Sequence, residues 1–149
     1  MSFQTEKTKK IAINCCYGGF GLSDIASEEL LKRKKIPYYV VTTISKDGEV
    51  ISKKFYHKTS TQRNRVKYEE DPSPENEYKD YIGMYSYYTH EERADPDLIA
   101  VIEELGDEAN EDCAKLTIIE IPDDVNWEIV EYDGIEYVAE KHRTWHYTN

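Results

Sequence analysis

Ile11-Ala12-Ile13-Asn14 runs directly into Cys15-Cys16-Tyr17-Gly18-Gly19-Phe20-Gly21-Leu22-Ser23. An apolar strand is thus followed, within a few residues, by a glycine-rich bend and the serine that opens a helix. That order leaves few folds open, because strand and helix must meet across a tight corner. Three glycines in four positions let the backbone take positive φ and approach a neighbour that a Cβ would hold off. Two readings follow. The loop can offer main-chain N–H groups and a helix N-terminus to a phosphate or a planar ligand, or it can be a purely structural corner. The lysine of a Walker loop and the spacing of a dinucleotide fingerprint are both missing. Asp24, Glu28 and Glu29 also put negative charge where a phosphate would gain from the helix dipole. The candidate ligand contacts here are Asn14, Cys16, Tyr17, Gly18, Gly19, Phe20, Gly21 and Ser23, with Ser23 also capping the helix.

The rest of the chain alternates strand and helix signals. A helix is expected from Ser23 to Lys34, with Leu22, Ala26 and Leu30 on one stripe, and Pro37 stops it. Tyr38–Ser45 and Glu49–His57 read as a hairpin joined by Lys46-Asp47-Gly48, a pattern that suits a type I′ turn. Residues 58–80 are polar, acidic and proline-bearing, and are expected to form a long mobile loop or lid. A tyrosine cluster follows: Tyr78, Tyr81, Tyr85, Tyr87 and Tyr88, with Met84 among them. Asp95-Pro96 is a helix start, with Leu98, Val101, Ile102 and Leu105 as the apolar stripe and Gly106 or Asn110 as the end. Lys115–Glu120 is a strand closed by Pro122. Trp127–Lys141 is a hairpin about Asp133-Gly134, in a register that sets Glu131 opposite Glu136. Two opposed carboxylates call for a cation, and a lysine or arginine from a neighbouring strand is the expected one. The 149 residues therefore read as a single α+β domain, a mixed or mostly antiparallel sheet with two helices on one face.

Charge and composition narrow the function. A net charge of −11 excludes duplex nucleic acid as a partner of the general surface. It leaves a solubilising surface, a surface that imitates nucleic-acid phosphates or docks on a basic host protein, or a locally basic pocket. No apolar run has the roughly 20 residues of a membrane helix, and the first residues carry no secretory h-region. The expectation is a cytoplasmic protein without a membrane partner. Cys15, Cys16 and Cys113 fit neither a disulfide framework nor a zinc signature. Neighbouring cysteines on a strand face opposite ways, so one of the pair is expected in the core. No metal, cofactor or catalytic residue is assigned. His57, His90, His142 and His146 are the available acid–base groups, and a Cys16–His142 pair is the single catalytic arrangement worth testing. At the C-terminal end, His142-Arg143-Thr144-Trp145 combines a planar cation with a stacking face, and Arg93 can supply a second cation. His142, Arg143, Trp145 and Arg93 complete the candidate ligand-binding set.

The loop Asn14–Ser23 resembles the signature of a family of small uncharacterised proteins encoded mostly by bacteriophages. The likeness extends through Asp95-Pro96-Asp97-Leu98-Ile99, Val101–Gly106, Glu120–Trp127, Glu131-Tyr132-Asp133-Gly134 and His142–Trp145. It leaves out the middle, roughly residues 43–90. Where the family has an arginine, this chain has Cys15. The resemblance implies a viral accessory protein acting in the cytoplasm of a bacterial host, antagonising defence by sequestering a nucleotide-like signal or by binding a defence protein. The leading expectation is a non-enzymatic binding protein for a small nucleotide-like ligand. The alternatives are an acidic inhibitor that docks on a host protein through the tyrosine-rich middle and, third, an enzyme. A homo-oligomer remains compatible with all three.

Overall fold

A computed structural model describes residues 7–83 and 91–142. The α+β reading holds, with mostly antiparallel pairing, but the strands are distributed over three small sheets. At the centre, β1 (Thr8–Asn14) pairs antiparallel with β5 (Leu116–Pro122), setting Ile11 opposite Ile119 and Ala12 opposite Ile118. Alternation sends Ala12, Leu116 and Ile118 to one face and Ile11, Ile13, Ile119 and Ile121 to the other.

The first face is covered by two helices. Ser23 caps α1 (Asp24–Arg33) by accepting the Ala26 N–H at 3.1 Å. Asp95 caps α2 (Pro96–Leu105), and Pro96 stands in the first turn, where its missing N–H leaves no bond unmade. Ala26 and Leu30 of α1 meet Leu98, Val101 and Ile102 of α2 over Ala12. A 3-10 turn, Glu91–Ala94, leads into α2 and a second, Gly106–Ala109, leaves it. The other face of the central pair packs on Trp127, Ile129 and Val138, from the hairpin of β6 (Trp127–Tyr132) and β7 (Ile135–Glu140). Its turn has positive φ at Asp133 and at Gly134, as a type I′ turn requires, and its register sets Glu131 opposite Glu136 as expected.

The third sheet has the order β3-β2-β4, from β2 (Tyr38–Ile44), β3 (Val50–His57) and β4 (Arg65–Tyr68). Leu31, on the side of α1 away from the central core, packs against Val40 and Phe55. One helix therefore serves two cores, which is why the strands do not merge into one sheet. Two local expectations are corrected. In the β2–β3 connection only Gly48 has positive φ, and the Ser45 N–H bonds the Glu49 carbonyl, so the link is a three-residue loop rather than a type I′ turn. Within residues 58–80, β4 runs parallel to β2 with Thr42 beside Val66. Charge organises that stretch in place of apolar burial: Arg65 and Lys67 reach the Glu77 carboxylate at 3.3 and 3.5 Å. Burial pushes the Glu77 carboxyl up, but Ser73, Lys67 and Arg65 outweigh it and leave it below its usual range.

Candidate functional site

The glycine corner is built around Asn14, whose side chain is fully buried. Its Nδ2 donates to the Cys16 and Gly134 carbonyls at 2.6 and 2.7 Å, and its Oδ1 accepts the Lys115 N–H at 2.8 Å. One asparagine thus ties the end of β1 to the β6–β7 turn and to the approach of β5. A Cβ on Gly18 would fall 2.7 Å from Cβ and the carbonyl oxygen of Cys113, and one on Gly134 would fall 2.7 Å from the amide nitrogens of Gly18 and Gly19. Those two amides make no hydrogen bond among the described residues, yet Gly134 lies against them. The expected open cradle is closed by the neighbouring turn, and the glycines are needed for the closeness of that contact.

Several expected contacts are placed differently. β1 ends at Asn14, so the cysteine pair belongs to the corner and not to the strand. Cys15 is exposed, its thiol beside the Thr117 hydroxyl at 3.0 Å, and Cys16 is half-buried, so neither thiol is core. His142 is exposed, and no hydrogen bond joins it to Cys16. Tyr17 projects into solvent, at 64% exposure. Met84, Tyr85, Tyr87, Tyr88, His90, Arg143, Trp145 and His146 lie outside the described residues.

Arg93 is the main correction. Expected as a cation available to a ligand, it is 2% exposed and forms a two-pronged ion pair with Glu136, at 2.7 and 2.8 Å. The same guanidinium donates to the Ala12 carbonyl at 3.2 Å and lies 3.8 Å from the centre of the Phe20 ring. Glu136 in turn accepts the Asn14 N–H at 2.8 Å. The Glu131–Glu136 pair does receive a cation, but from the 3-10 turn ahead of α2 and for Glu136 alone. Glu131 accepts the N–H of Gly134 at 2.6 Å instead. A cavity of about 430 Å³ lies beside this network, bordered by Gly19, Phe20, Ile129 and Glu131. Among the described residues, no group of three His, Cys, Asp or Glu side chains could hold a metal.

The larger opening, about 480 Å³, lies on the far side of Phe20. One wall is the exit of the glycine loop and the start of α1: Phe20, Gly21, Leu22, Ser23, Asp24 and Ser27. The other is β3, from Ile51 to Phe55, extended by Tyr81 and Ile82, and residues 110–112 close one end. Backbone bonds place these pieces. Ser23 donates its N–H to the Ala109 carbonyl and its hydroxyl to the Glu108 carbonyl, which fastens the second 3-10 turn to the head of α1. Bonds from His57 N–H to the Asp80 carbonyl and from Ile82 N–H to the Phe55 carbonyl lay residues 80–82 along β3.

The cleft is lined by polar and charged side chains, and Ser27 on its α1 wall is buried. β3 contributes Lys53 and Lys54, while Asp24, Glu111 and Asp112 come from the facing elements. Burial pushes the Asp24 carboxyl above its ordinary range, against the pull of the Lys53 charge. A carboxyl displaced by desolvation, close enough to a lysine to feel its charge, makes this cleft a candidate functional site.

Comparison with protein-family models, curated proteins and solved structures gives no match. The site is therefore read from its own geometry. Of the residues expected to touch a ligand, Phe20, Gly21 and Ser23 line this cleft, Gly19 and Arg93 border the smaller cavity, and Asn14 and Gly18 support the corner. Sequence reasoning missed Ser27, Lys53, Lys54 and residues 110–112. No local pattern links them, because they meet only through the tertiary fold.

Proposed function

We propose that this chain is a binding protein for a small nucleotide-like ligand, taken up in the cleft between the head of α1 and β3. One observation carries the reading: a cleft of about 480 Å³ in which Lys53 and Lys54 on one wall face Asp24, Glu111 and Asp112 on the others. Such a site suits a ligand that presents an anion to Lys53 and Lys54 and N–H donors to the Glu111 and Asp112 carboxylates. Phe20, Phe55 and Tyr81 provide aromatic surface for a base. Together with the resemblance to phage-encoded proteins, this supports a viral accessory protein that sequesters a nucleotide-like signal in the host cytoplasm.

A thermal-shift panel of nucleosides, nucleotides and cyclic nucleotides tests it. A ligand present at a hundred times its Kd adds about 2.7 kcal/mol, which raises the Tm of a chain this size by roughly 5–10 °C. Lys53→Glu should remove the shift. If the whole panel at millimolar concentration leaves melting unchanged, the reading fails. A second reading, docking on a basic host protein, draws on the exposed carboxylates Glu69, Glu70, Asp71 and Glu75 that follow β4. Reversing Glu69, Glu70 and Asp71 to lysine should abolish salt-sensitive capture of such a partner, and unaltered capture would dismiss it.

A further inference from the structure

We infer that residues 71–82 are a strap that gates the cleft, latched by Glu77 from the opposite face of the β3-β2-β4 sheet. This rests on the nucleotide-binding reading and adds to it the step that admits the ligand.

The closed cleft withholds its own floor. Phe55 is 4% exposed and Phe20 9%, although both border it. Ile82 packs against the cluster of Leu31, Val40 and Phe55 and itself borders the cleft, so withdrawing it uncovers apolar surface for a guest. Ile82 is the end of the strap. Its N–H donates to the Phe55 carbonyl at 2.8 Å, and the His57 N–H donates to the Asp80 carbonyl at 2.8 Å. These two bonds lay the strap's end along the edge of β3, and lifting it breaks both.

The rest of the strap is held on the far face. Alternation turns Phe55 toward α1 and Tyr56 away from it. The register sets Tyr39 opposite Tyr56, with Arg65 beside Val41 and Lys67 beside Thr43 on that same side. Here Arg65 and Lys67 share one oxygen of Glu77, whose side chain is 4% exposed. Lys67 also donates to the Ser73 hydroxyl at 3.2 Å, and Tyr81 meets the Tyr56 ring edge-on at 5.6 Å. Tyr78 and Tyr81 nevertheless stay exposed. A segment tied by ion pairs and few buried apolar contacts opens at lower cost than the sheet beneath it.

Two features show that the strap does not close flush. A space of about 280 Å³ remains between residues 74–77 and the side chains of Tyr39, Arg63 and Arg65. The Tyr56 hydroxyl is buried without a hydrogen-bond partner, and burial, followed by the Glu77 charge, pushes its pKa up to about 12. An orphan hydroxyl penalises the closed form, since lifting the strap gives it water. The Glu77 ion pairs oppose that. Two named groups thus pull the strap in opposite directions.

Hydrogen exchange and thiol labelling of the full chain test this without any ligand. Exchange is read at the His57 and Ile82 amides, with the Cys15 and Ile99 amides, bonded to the Lys115 and Asp95 carbonyls, as references outside the strap. In Glu77→Gln the strap amides should exchange at least about tenfold faster while the references hold. Tyr56→Phe, which removes the orphan hydroxyl, should slow them. Labelling by iodoacetamide is read at the thiol introduced by Ser27→Cys, on the buried α1 wall of the cleft, in a chain carrying Cys15→Ser, Cys16→Ser and Cys113→Ser. Its rate should follow the strap, rising in Glu77→Gln and falling in Tyr56→Phe, a pair of opposite signs that general loosening would not give. Strap amides untouched by Glu77→Gln, or references that speed up equally, overturn the latch. Labelling that ignores both substitutions while the strap amides respond overturns the gate. If Glu77→Gln does not fold, Tyr56→Phe decides alone: slower strap amides uphold the balance and unchanged ones overturn it. Each of these failures leaves nucleotide binding in place, and that reading fails separately if the nucleotide panel never shifts melting.

Discussion

Replacing Glu136 by glutamine keeps the side chain's shape and removes only its charge, which makes it a sharp probe of the buried network. The partners are 2% and 8% exposed, and two bonds at 2.7 and 2.8 Å join them. In Glu136→Gln the guanidinium remains where water cannot reach it, held against Phe20 and the Ala12 carbonyl. Neutralising one member of a buried pair costs about 3–5 kcal/mol. That is a large fraction of the 5–15 kcal/mol typical of a domain. At about 2–4 °C per kcal/mol for a chain of this size, the Tm should drop by roughly 6–20 °C. The control is Glu104→Gln at the Arg33–Glu104 pair, whose side chains are 41% and 63% exposed and whose loss should cost no more than about 1 kcal/mol. Urea unfolding gives both free energies with m unchanged. The double variant Arg93→Met/Glu136→Gln removes both charges of the pair, so it should be less destabilised than the sum of its singles by about 1–3 kcal/mol. If Glu136→Gln costs no more than Glu104→Gln, the claim that burial gives this pair its weight is wrong.

Three further outcomes are expected. Gly134→Ala should destabilise by about 2–4 kcal/mol, because it adds a 2.7 Å clash with the Gly18 and Gly19 nitrogens to a positive φ; Gly48→Ala, with positive φ but open space, should cost about 1 kcal/mol. Matching urea midpoints for the two would show that the corner is loosely packed. Ser23→Ala should cost about 1–2 kcal/mol by losing both the α1 cap and the bond to the Glu108 carbonyl, and restored stability in Ser23→Asp would isolate the cap. Because the Asp24 carboxyl is raised in the folded state, its share of stability is present below the unfolded value of 3.8 and lost as pH rises through the folded value. Asp24→Asn should therefore melt higher than wild type at pH 7, with the gap closing toward pH 3; a gap constant with pH would contradict the assignment.

Local chemistry made some elements legible from the sequence alone. Ser23 and Asp95-Pro96 mark helix starts because capping uses side chains within three residues of the bond they make. The β6–β7 register was readable down to Glu131 opposite Glu136, since a two-residue turn at Asp133-Gly134 leaves only one pairing. What failed depended on partners far along the chain. β4 has a polar sequence and exists because β2, more than twenty residues earlier, offers it a parallel edge. Arg93 looks like a surface cation until a carboxylate 43 residues away meets it in the interior. The cleft is assembled from four separated segments, of which the glycine-rich loop alone stands out in the sequence.

The glycine loop is a structural corner that also borders the cleft, because Phe20 belongs to both. Its ring carries the Arg93 guanidinium on one face and borders the small cavity, and the same residue opens the wall of the large cleft that Gly21, Leu22 and Ser23 continue. Its position is set from behind by two bare glycines in contact, Gly18 under Cys113 and Gly134 against the loop amides. Asn14, through its bond to the Gly134 carbonyl, and the buried Arg93–Glu136 pair, which also accepts the Asn14 N–H, hold that contact. The loop then shapes the wall of the cleft by where it holds Phe20. Close packing of a glycine-rich bend on one side is what leaves a defined opening on the other.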